Sequence, residues 1–584
     1  MTLPRTRRFG DYEVDLVAGE VRKRGLKLSL SGQPFEVLRL LLEKAGEVVT
    51  RKELRAQLWK QDTFVDFDHG LNAAVNKLRE VLGDSAHQPR YLETLPRRGY
   101  RFVAPVRSSV ARPTSPRSNS EAKQIRSVAV LPLDNLSGDP EQEYFAEGMT
   151  EILINDLAKI DALRVISRNS VMRYKGIHKP LGQIAEELNV DGIVEGAVLR
   201  IEGRVRITAE LIHAASDTHV WAERYEGDLR DVLRLQSEVA QAIAAEIRVK
   251  VRPQERSRLN RAPASSGEAN EAYLKGRYFW NKRTPDGLER SLMQFERAIE
   301  KNPSYALAHA GIAEAYAIAG SLLLEMIPPR EAMPRAQVAA RRALQIDETL
   351  GEAHATLAYI SAVYDYDWLS AERGFRHALL LNPGDATARQ FYALHWAYRG
   401  NPAQAESEIE QARQLDPLSL QINTEIANIF YLGRGYDRAI EQALITLDLD
   451  PAFHGAHFIL SLAYKQKEML EAALAEAEKA VALSGRSTAS LGCLGGCFAA
   501  TGRLSAAKEI VGELQNLSGH QFVPSFVFAW ISANLRDSES TLAYLERSYI
   551  ERTSYLAVIK AEPTFDFLRS DERFQDLQRR VGLT

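Results

Sequence analysis

"YLETLPRRGYRFVAPV", residues 91–106, sets three arginines, Arg97, Arg98 and Arg101, around one glycine, Gly99, in a chain whose formal net charge is −3. Tyr91, Leu92, Tyr100, Phe102 and Val103 flank that turn, and aromatic and branched residues of this kind fill strands. The stretch predicts a short β-hairpin with a basic tip. Such a tip calls for an anionic partner.

Upstream, "TRKELRAQLWK" (50–60) opens on Thr50 and carries Glu53 three residues later, the pattern of a capping box. Leu54, Leu58 and Trp59 give that helix one apolar face. "QPFEVLRLLLEKAGEVV" (33–49) supplies an amphipathic helix before it. "DHGLNAAVNKLREVLGD" (68–84) supplies a third after it, with Leu71, Val75, Leu78 and Leu82 on one stripe. At roughly 100° per residue the opposite stripe carries His69, Ala73, Asn76, Lys77 and Glu80, with Asn72 and Arg79 at its edge. Three helices followed by a hairpin with a basic tip make a winged helix-turn-helix. Its third helix enters the major groove of duplex DNA, and its wing lays arginines against phosphates or into the minor groove.

The charge distribution agrees. Residues 1–107 hold 20 Lys+Arg against 14 Asp+Glu, which leaves 54 against 63 in the remainder of the 584 residues. A basic head on an acidic body suits a polyanionic partner for the head.

The length calls for three or more domains. Two cysteines, Cys493 and Cys497, exclude a disulfide scaffold. The basic start MTLPRTRRFG lacks an apolar core, and the longest apolar run, FVPSFVFAWISANL (522–535), is short for a bilayer and contains a proline. A cytoplasmic protein without membrane attachment is expected.

The fold class expected is multidomain α+β. A winged-helix head at 1–106 is followed by a Ser-, Pro- and Arg-rich linker at 107–124. Residues 125–251 alternate strand and helix signals, ending in strand–turn–strand–turn–strand with turns at Glu202-Gly203 and Ser216-Asp217, which predicts an α/β domain. A softer linker is expected at 252–271. From 272 to 550 the chain repeats: Pro383, Pro417 and Pro451 stand 34 residues apart, Ala378 and Ala412 lie five before their prolines, and Ala358, Ala393 and Ala427 recur with Trp396 and Phe430 three positions later. Small residues where helices cross, with a proline closing each unit, predict an all-α solenoid of about eight helix pairs. Residues 551–584 read as a capping segment.

Three resemblances follow from these motifs. Residues 5–106, through FGDYEVDL, GEVRKRG, LKLSL, LRLLLEKAGEVVTRKELRAQLW, VNKLREVLGD and RGYRF, resemble the OmpR/PhoB-type DNA-binding domain. That resemblance implies DNA contacts at His69, Ala73, Asn76, Lys77 and Arg79 and wing contacts at Thr94, Arg97 and Arg98, to which the helix geometry adds Asn72. Ala74, Asn76 and the turn Leu95-Pro96-Arg97-Arg98 depart from the response-regulator members. Control through a receiver domain, and the membrane helix of members similar to CadC, are not expected. Residues 125–250 resemble the TolB amino-terminal-like domain, which implies protein contact or sensing. Residues 272–550 resemble tetratricopeptide repeats.

Nothing in the sequence assembles a catalytic set, a cofactor loop or a metal site. Cys493 and Cys497 in CLGGC read as small core residues, and His309, His354, His377, His395 and His457 as structural. The expected function is a DNA-binding transcriptional regulator, not an enzyme, that needs no cofactor. Its partners would be double-stranded DNA, a second copy on DNA, and a protein or peptide on the solenoid, RNA polymerase among the candidates. Gln390, Thr424, Asn428, Tyr431, Phe458 and Lys465 are the expected groove residues. The alternative is a repeat scaffold whose head binds protein.

Overall fold

The computed structural model describes residues 6–583 except 11, 16–19, 24–25, 29, 31–32, 59–66, 83, 85–88, 96–97, 105, 110–124, 178, 202, 248–250, 256–266 and 322–325. The chain forms two compact units, Met1–Ala122 and Lys123–Thr584.

In the first unit, strands β1 (Thr6–Phe9), β2 (Tyr12–Asp15), β3 (Glu20–Lys23) and β4 (Leu26–Leu28) make an antiparallel meander. Helix α1 (Gln33–Glu43) buries Phe35, Val37, Leu38, Leu41 and Leu42. Strand β5 (Val48–Thr50) leads into α2 (Arg51–Leu58), where the capping box closes both ways: the Thr50 N–H donates to Glu53 Oε2 at 2.8 Å, and the Glu53 N–H to Thr50 Oγ1 at 3.2 Å. Helix α3 (Phe67–Leu82) buries the expected stripe of Leu71, Val75, Leu78 and Leu82.

The opening stretch forms β6 (Leu92–Leu95) and β7 (Gly99–Phe102), with β7 between β6 and β5. One boundary moves. Arg107–Ser109 form β8, which pairs antiparallel with β1, so these three residues belong to the head sheet and not to a linker starting at 107. Phe9 of β1 packs edge-on against Phe102 at 4.7 Å between ring centroids, which ties this sheet to the wing.

The second unit opens with a six-stranded sheet ordered β11-β9-β12-β13-β14, with β10 beside β12. Strands β9 (Ser127–Val130) and β10 (Asp134–Asn135) follow each other directly, and α4 (Glu143–Ala158) leads from them to β11 (Arg164–Val165). Short helices α5 (Arg168–Val171) and α6 (Leu181–Leu188) follow. Strands β12 (Gly192–Ile201), β13 (Arg204–His213) and β14 (Thr218–Asp228) form the expected meander, its turns relaxed by positive φ at Gly203 and Asp217. Helix α7 (Val232–Glu246) packs on α4 and on β14.

Among the described residues eight helix pairs follow, before a tail that ends in a helix at Glu572–Arg580. They are α8 (Gly267–Trp280) with α9 (Pro285–Lys301), α10 (Ala306–Ala319) with α11 (Pro329–Ile346), and α12 (Gly351–Ile360) with α13 (Trp368–Leu381). Next come α14 (Ala386–Tyr398) with α15 (Pro402–Leu415), and α16 (Leu420–Leu432) with α17 (Tyr436–Leu449). The last three are α18 (His454–Gln466) with α19 (Leu470–Leu483), α20 (Thr488–Ala500) with α21 (Leu504–Leu517), and α22 (Ser525–Asn534) with α23 (Ser538–Glu551). The first helices of successive pairs pack closely on one another, whereas the second helices do not, so the first helices form the inner layer of a curved stack.

The repeat has a hydrogen-bond signature. In five of the turns between pairs, a side chain six residues after the closing position returns to that position's carbonyl: His309 Nε2 to Pro303 O, His354 Nε2 to Glu348 O, Asn423 Nδ2 to Pro417 O and His457 Nε2 to Pro451 O, all at 3.0–3.1 Å, with Arg389 doing the same to Pro383. A carbonyl can only accept, so each imidazole carries its proton on Nε2. The histidines tie the turn after one helix to the start of the next.

The soft linker expected at 252–271 needs correction. Helix α8 begins at Gly267 and packs on α4, where a Cβ on Gly148 would stand 2.6 Å from Leu274. One apolar core runs from Val128 and Ile193 in the sheet through Tyr273 and Phe295 to Tyr305. The joint is also ionic: buried Glu151 accepts from Asn281 at 2.7 Å and pairs with Arg277, which reaches Glu314 at 2.8 Å. Burial opposes its ionisation, but Arg277 and Arg168 hold Glu151 below the ordinary carboxylate range. Farther along, Asp416 accepts from Ser170 Oγ at 2.6 Å and from Asn169 at 3.0 Å, and the Gly384 N–H donates to Ala158 O at 3.1 Å. The α/β layer and the solenoid are one body.

Candidate nucleic-acid interface

The wing turn is closed by the Arg98 N–H donating to Leu95 O at 3.0 Å; the middle residues, Pro96 and Arg97, lie outside the described residues. Gly99 is required for a reason the sequence did not show. A Cβ there would stand 2.1 Å from the Val49 carbonyl oxygen, so only glycine lets β7 lie against β5.

The three arginines divide. Arg98 is exposed at the tip. Arg101 is not a DNA arm: it sits directly opposite Glu93 across the hairpin and grips its carboxylate through two nitrogens at 2.8 and 2.6 Å. Arg97, an expected contact, is among the undescribed residues.

On α3, Asn76 and Lys77 are exposed on the face away from the Leu71–Leu82 stripe. His69, Asn72 and Ala73 belong to the same helix, with side chains outside the described residues. Arg79 requires a correction. Expected at the DNA face, it is 9% exposed, and its guanidinium donates to Leu92 O at 3.0 Å and to Thr94 Oγ1 at 2.7 Å. Thr94, expected to contact DNA, is half-buried and spends its hydroxyl oxygen on this bond. The edge position of Arg79 turns it inward because a long side chain there reaches the wing strand before it reaches solvent.

Sequence reasoning missed a second anchor. Asp84, just past α3, accepts from the N–H groups of Arg90 at 2.7 Å, Tyr91 at 3.2 Å and Leu92 at 2.7 Å, which starts the wing strand at a fixed distance from the helix end. Asp in "LGD" before the strand is the signal that could have found it. The arrangement presents amide and ammonium groups on a helix, beside a guanidinium on a rigid hairpin, a geometry suited to base edges and phosphates.

Residues 25–102 match the family model for "Transcriptional regulatory protein, C terminal". The head is a winged-helix domain of that family. Transcriptional regulator HilA of Salmonella typhimurium (strain LT2) is 24% identical to this chain over 445 residues, 74% of each protein. A Rhizobium meliloti (strain 1021) protein named "Putative adenylate cyclase 3" is 38% identical over 186 residues, and the match spans only 32% of each chain. Among solved structures, the Klebsiella pneumoniae RstA DNA-binding domain in complex with RstA box is 30% identical, covering 17% of this chain and 96% of that one at a TM-score of 0.16. This winged-helix domain precedes a second unit in which no described helix is long and apolar enough to cross a membrane.

The expected protein groove is only partly present. Gln390, Thr424 and Asn428 stand on inner-layer helices α14 and α16. Tyr431 is fully buried, because its hydroxyl donates to Glu562 at 2.6 Å. The segment expected as a terminal cap instead lies along the inner layer. Arg434 donates to Ala561 O and to Asp566 at 2.7 Å each, the Trp368 indole to Val581 O at 2.7 Å, and Phe565 packs on Phe526 at 5.5 Å. Phe458 packs on Trp530 at 5.8 Å, and Lys465 is 9% exposed. The tail occupies the far part of the face that an extended peptide would need. Cys493 and Cys497 are buried in α20, with Cys497 Sγ 3.2 Å from Ser461 Oγ.

Proposed function

We propose that the chain is a DNA-binding transcriptional regulator that places α3 in the major groove and the β6–β7 wing on the adjoining backbone. Asn76 and Lys77, together with His69, Asn72 and Ala73 on the same helix, would supply the helix contacts, and Arg97 and Arg98 the wing contacts. Arg79 and Thr94 would act by positioning. The single observation behind this reading is the Arg79 bridge, which fixes the exposed helix face to the exposed wing tip.

The match of the head to a regulator domain and the 445-residue likeness to a transcriptional regulator support it. The chain works by binding in the cytoplasm, as one or two copies on duplex DNA, and the solenoid takes the second input, RNA polymerase being one protein to test there. Because one relative is named for an adenylate cyclase, purified chain should also be assayed with ATP; no cyclic nucleotide is expected. The primary test is salt. Affinity for duplex DNA should fall steeply between ~50 and ~200 mM salt through counterion release, and a head that binds protein would show no such slope on DNA.

A further inference from the structure

We propose that the inner face of the solenoid holds a site for an organic cation, an ammonium or guanidinium group, seated on Glu425. This goes beyond DNA binding and is independent of it.

Glu425 lies mid-way along α16. Its carboxylate accepts from Gln421 Nε2 at 3.0 Å and from Asn428 Nδ2 at 2.9 Å, two neutral amides of its own helix. Among the described residues no lysine, arginine or histidine pairs with it. Other carboxylates of the solenoid do have a cationic partner, as in Glu406 with Arg438, Glu471 with Arg503 and Glu513 with Arg486. A carboxylate held in place by amides but left without a counter-charge is ready for a cation.

Its surroundings favour an organic one. Tyr359 on α12 and Tyr398 on α14 feel the charge of Glu425, which adds to burial in raising both hydroxyls. The Phe391 ring lies on Tyr359 at 4.6 Å and 32°. All three rings and Glu425 are half-buried, so each keeps accessible surface. Aromatic faces around a carboxylate attract ammonium and guanidinium groups, and they replace water less readily around a small, strongly hydrated metal ion.

A second observation points the same way. Gln421, Thr424, Glu425 and Asn428 fall at i, i+3, i+4 and i+7, on one helical stripe. Thr424 is 6% exposed, and its hydroxyl has no hydrogen-bond partner. That oxygen can accept an N–H from a ligand bound at Glu425.

The closures at either side, Tyr431 on Glu562 and Gly384 on Ala158, argue for a compact guest. It is either a free small cation or one basic side chain of a peptide. The test is calorimetric titration of the full chain, without DNA, by methylguanidinium, by butylammonium and by the capped tripeptide acetyl-Gly-Arg-Gly-amide.

Saturable binding is expected, weakened roughly tenfold or more in Glu425→Gln and unchanged in Glu406→Gln. Binding of the small cations alone would identify a free ligand, and binding of the tripeptide alone a peptide side chain. Should Glu425→Gln fail to fold, Tyr359→Leu, which leaves the carboxylate in place, must weaken binding several-fold. No saturable binding of any probe, or equal affinity in a folded Glu425→Gln or Tyr359→Leu chain, would overturn the proposal.

Discussion

The guanidinium of Arg79 on α3 bonds Thr94 Oγ1 on the wing at 2.7 Å and the neighbouring Leu92 carbonyl at 3.0 Å. One buried side chain therefore bridges helix and wing, beside the anchor at Asp84. Replacing Arg79 by Met keeps the apolar stem but removes the charged donors. It should destabilise the head by about 1–3 kcal/mol, seen as an earlier head transition in denaturant, with weaker DNA binding following from lost geometry.

Lys77 separates contact from positioning. It is exposed on the same helix, so Lys77→Ala should shift the denaturation midpoint much less than Arg79→Met does. If Lys77 meets a phosphate, the slope of log affinity against log salt should become shallower by about 0.9. A stability loss matching that of the Arg79 variant would remove the distinction drawn between them.

Gly99 tests the wing. In Gly99→Ala the new methyl would stand 2.1 Å from Val49 O, so β7 must leave β5 or the hairpin must shift. A loss of several kcal/mol, on the order of the largest single-residue effects, is expected in the head alone. The transition of residues 123–584 should not move.

Acid should weaken the start of α2. The Lys44 ammonium, with the Thr50 N–H and hydroxyl, holds Glu53 at about 2, below the ordinary 4.5. A depressed carboxyl contributes stability that is fully present above its unfolded value and disappears as pH falls through the folded one. The head should thus lose stability between about pH 4.5 and 2. Glu53→Gln should flatten that part of the profile, measured by thermal melts across the range.

In the second unit, Tyr431→Phe removes the hydroxyl that donates to Glu562, and both residues are at least 98% buried. The loss should be about 1–3 kcal/mol in the main unfolding transition, because among the described residues Glu562 then keeps only Thr564 as a donor partner. A change too small to measure would mean that water replaces the tyrosine there.

What could be read in advance follows physical range. Periodic signals carried the repeat, the stripe of α3 and the Thr50–Glu53 capping box, because each depends on neighbours within one helical turn or on a recurrence of 34. The inward turn of Arg79, the pairing of Arg101 with Glu93 and the cradle around Asp84 depend on where the wing strand lies beside α3, and local sequence does not encode that distance. The same holds for the tail. "FDFLRSDERFQDLQRRVGL" reads as a terminal cap, and only the curvature of the stacked pairs brings Tyr431, Trp368 and Phe526 near enough to enclose the tail. Gly99 was legible as a turn glycine, but its cause is the Val49 carbonyl on another strand.

The most direct measurement of the central claim is selection of duplexes from a random pool by the full chain and by a Lys77→Ala/Arg98→Ala variant, at fixed moderate salt. One shared sequence motif enriched by the native chain and lost or strongly weakened in the folded variant is the expected result. Equal, motif-free retention by both proteins would contradict a sequence-reading helix and wing.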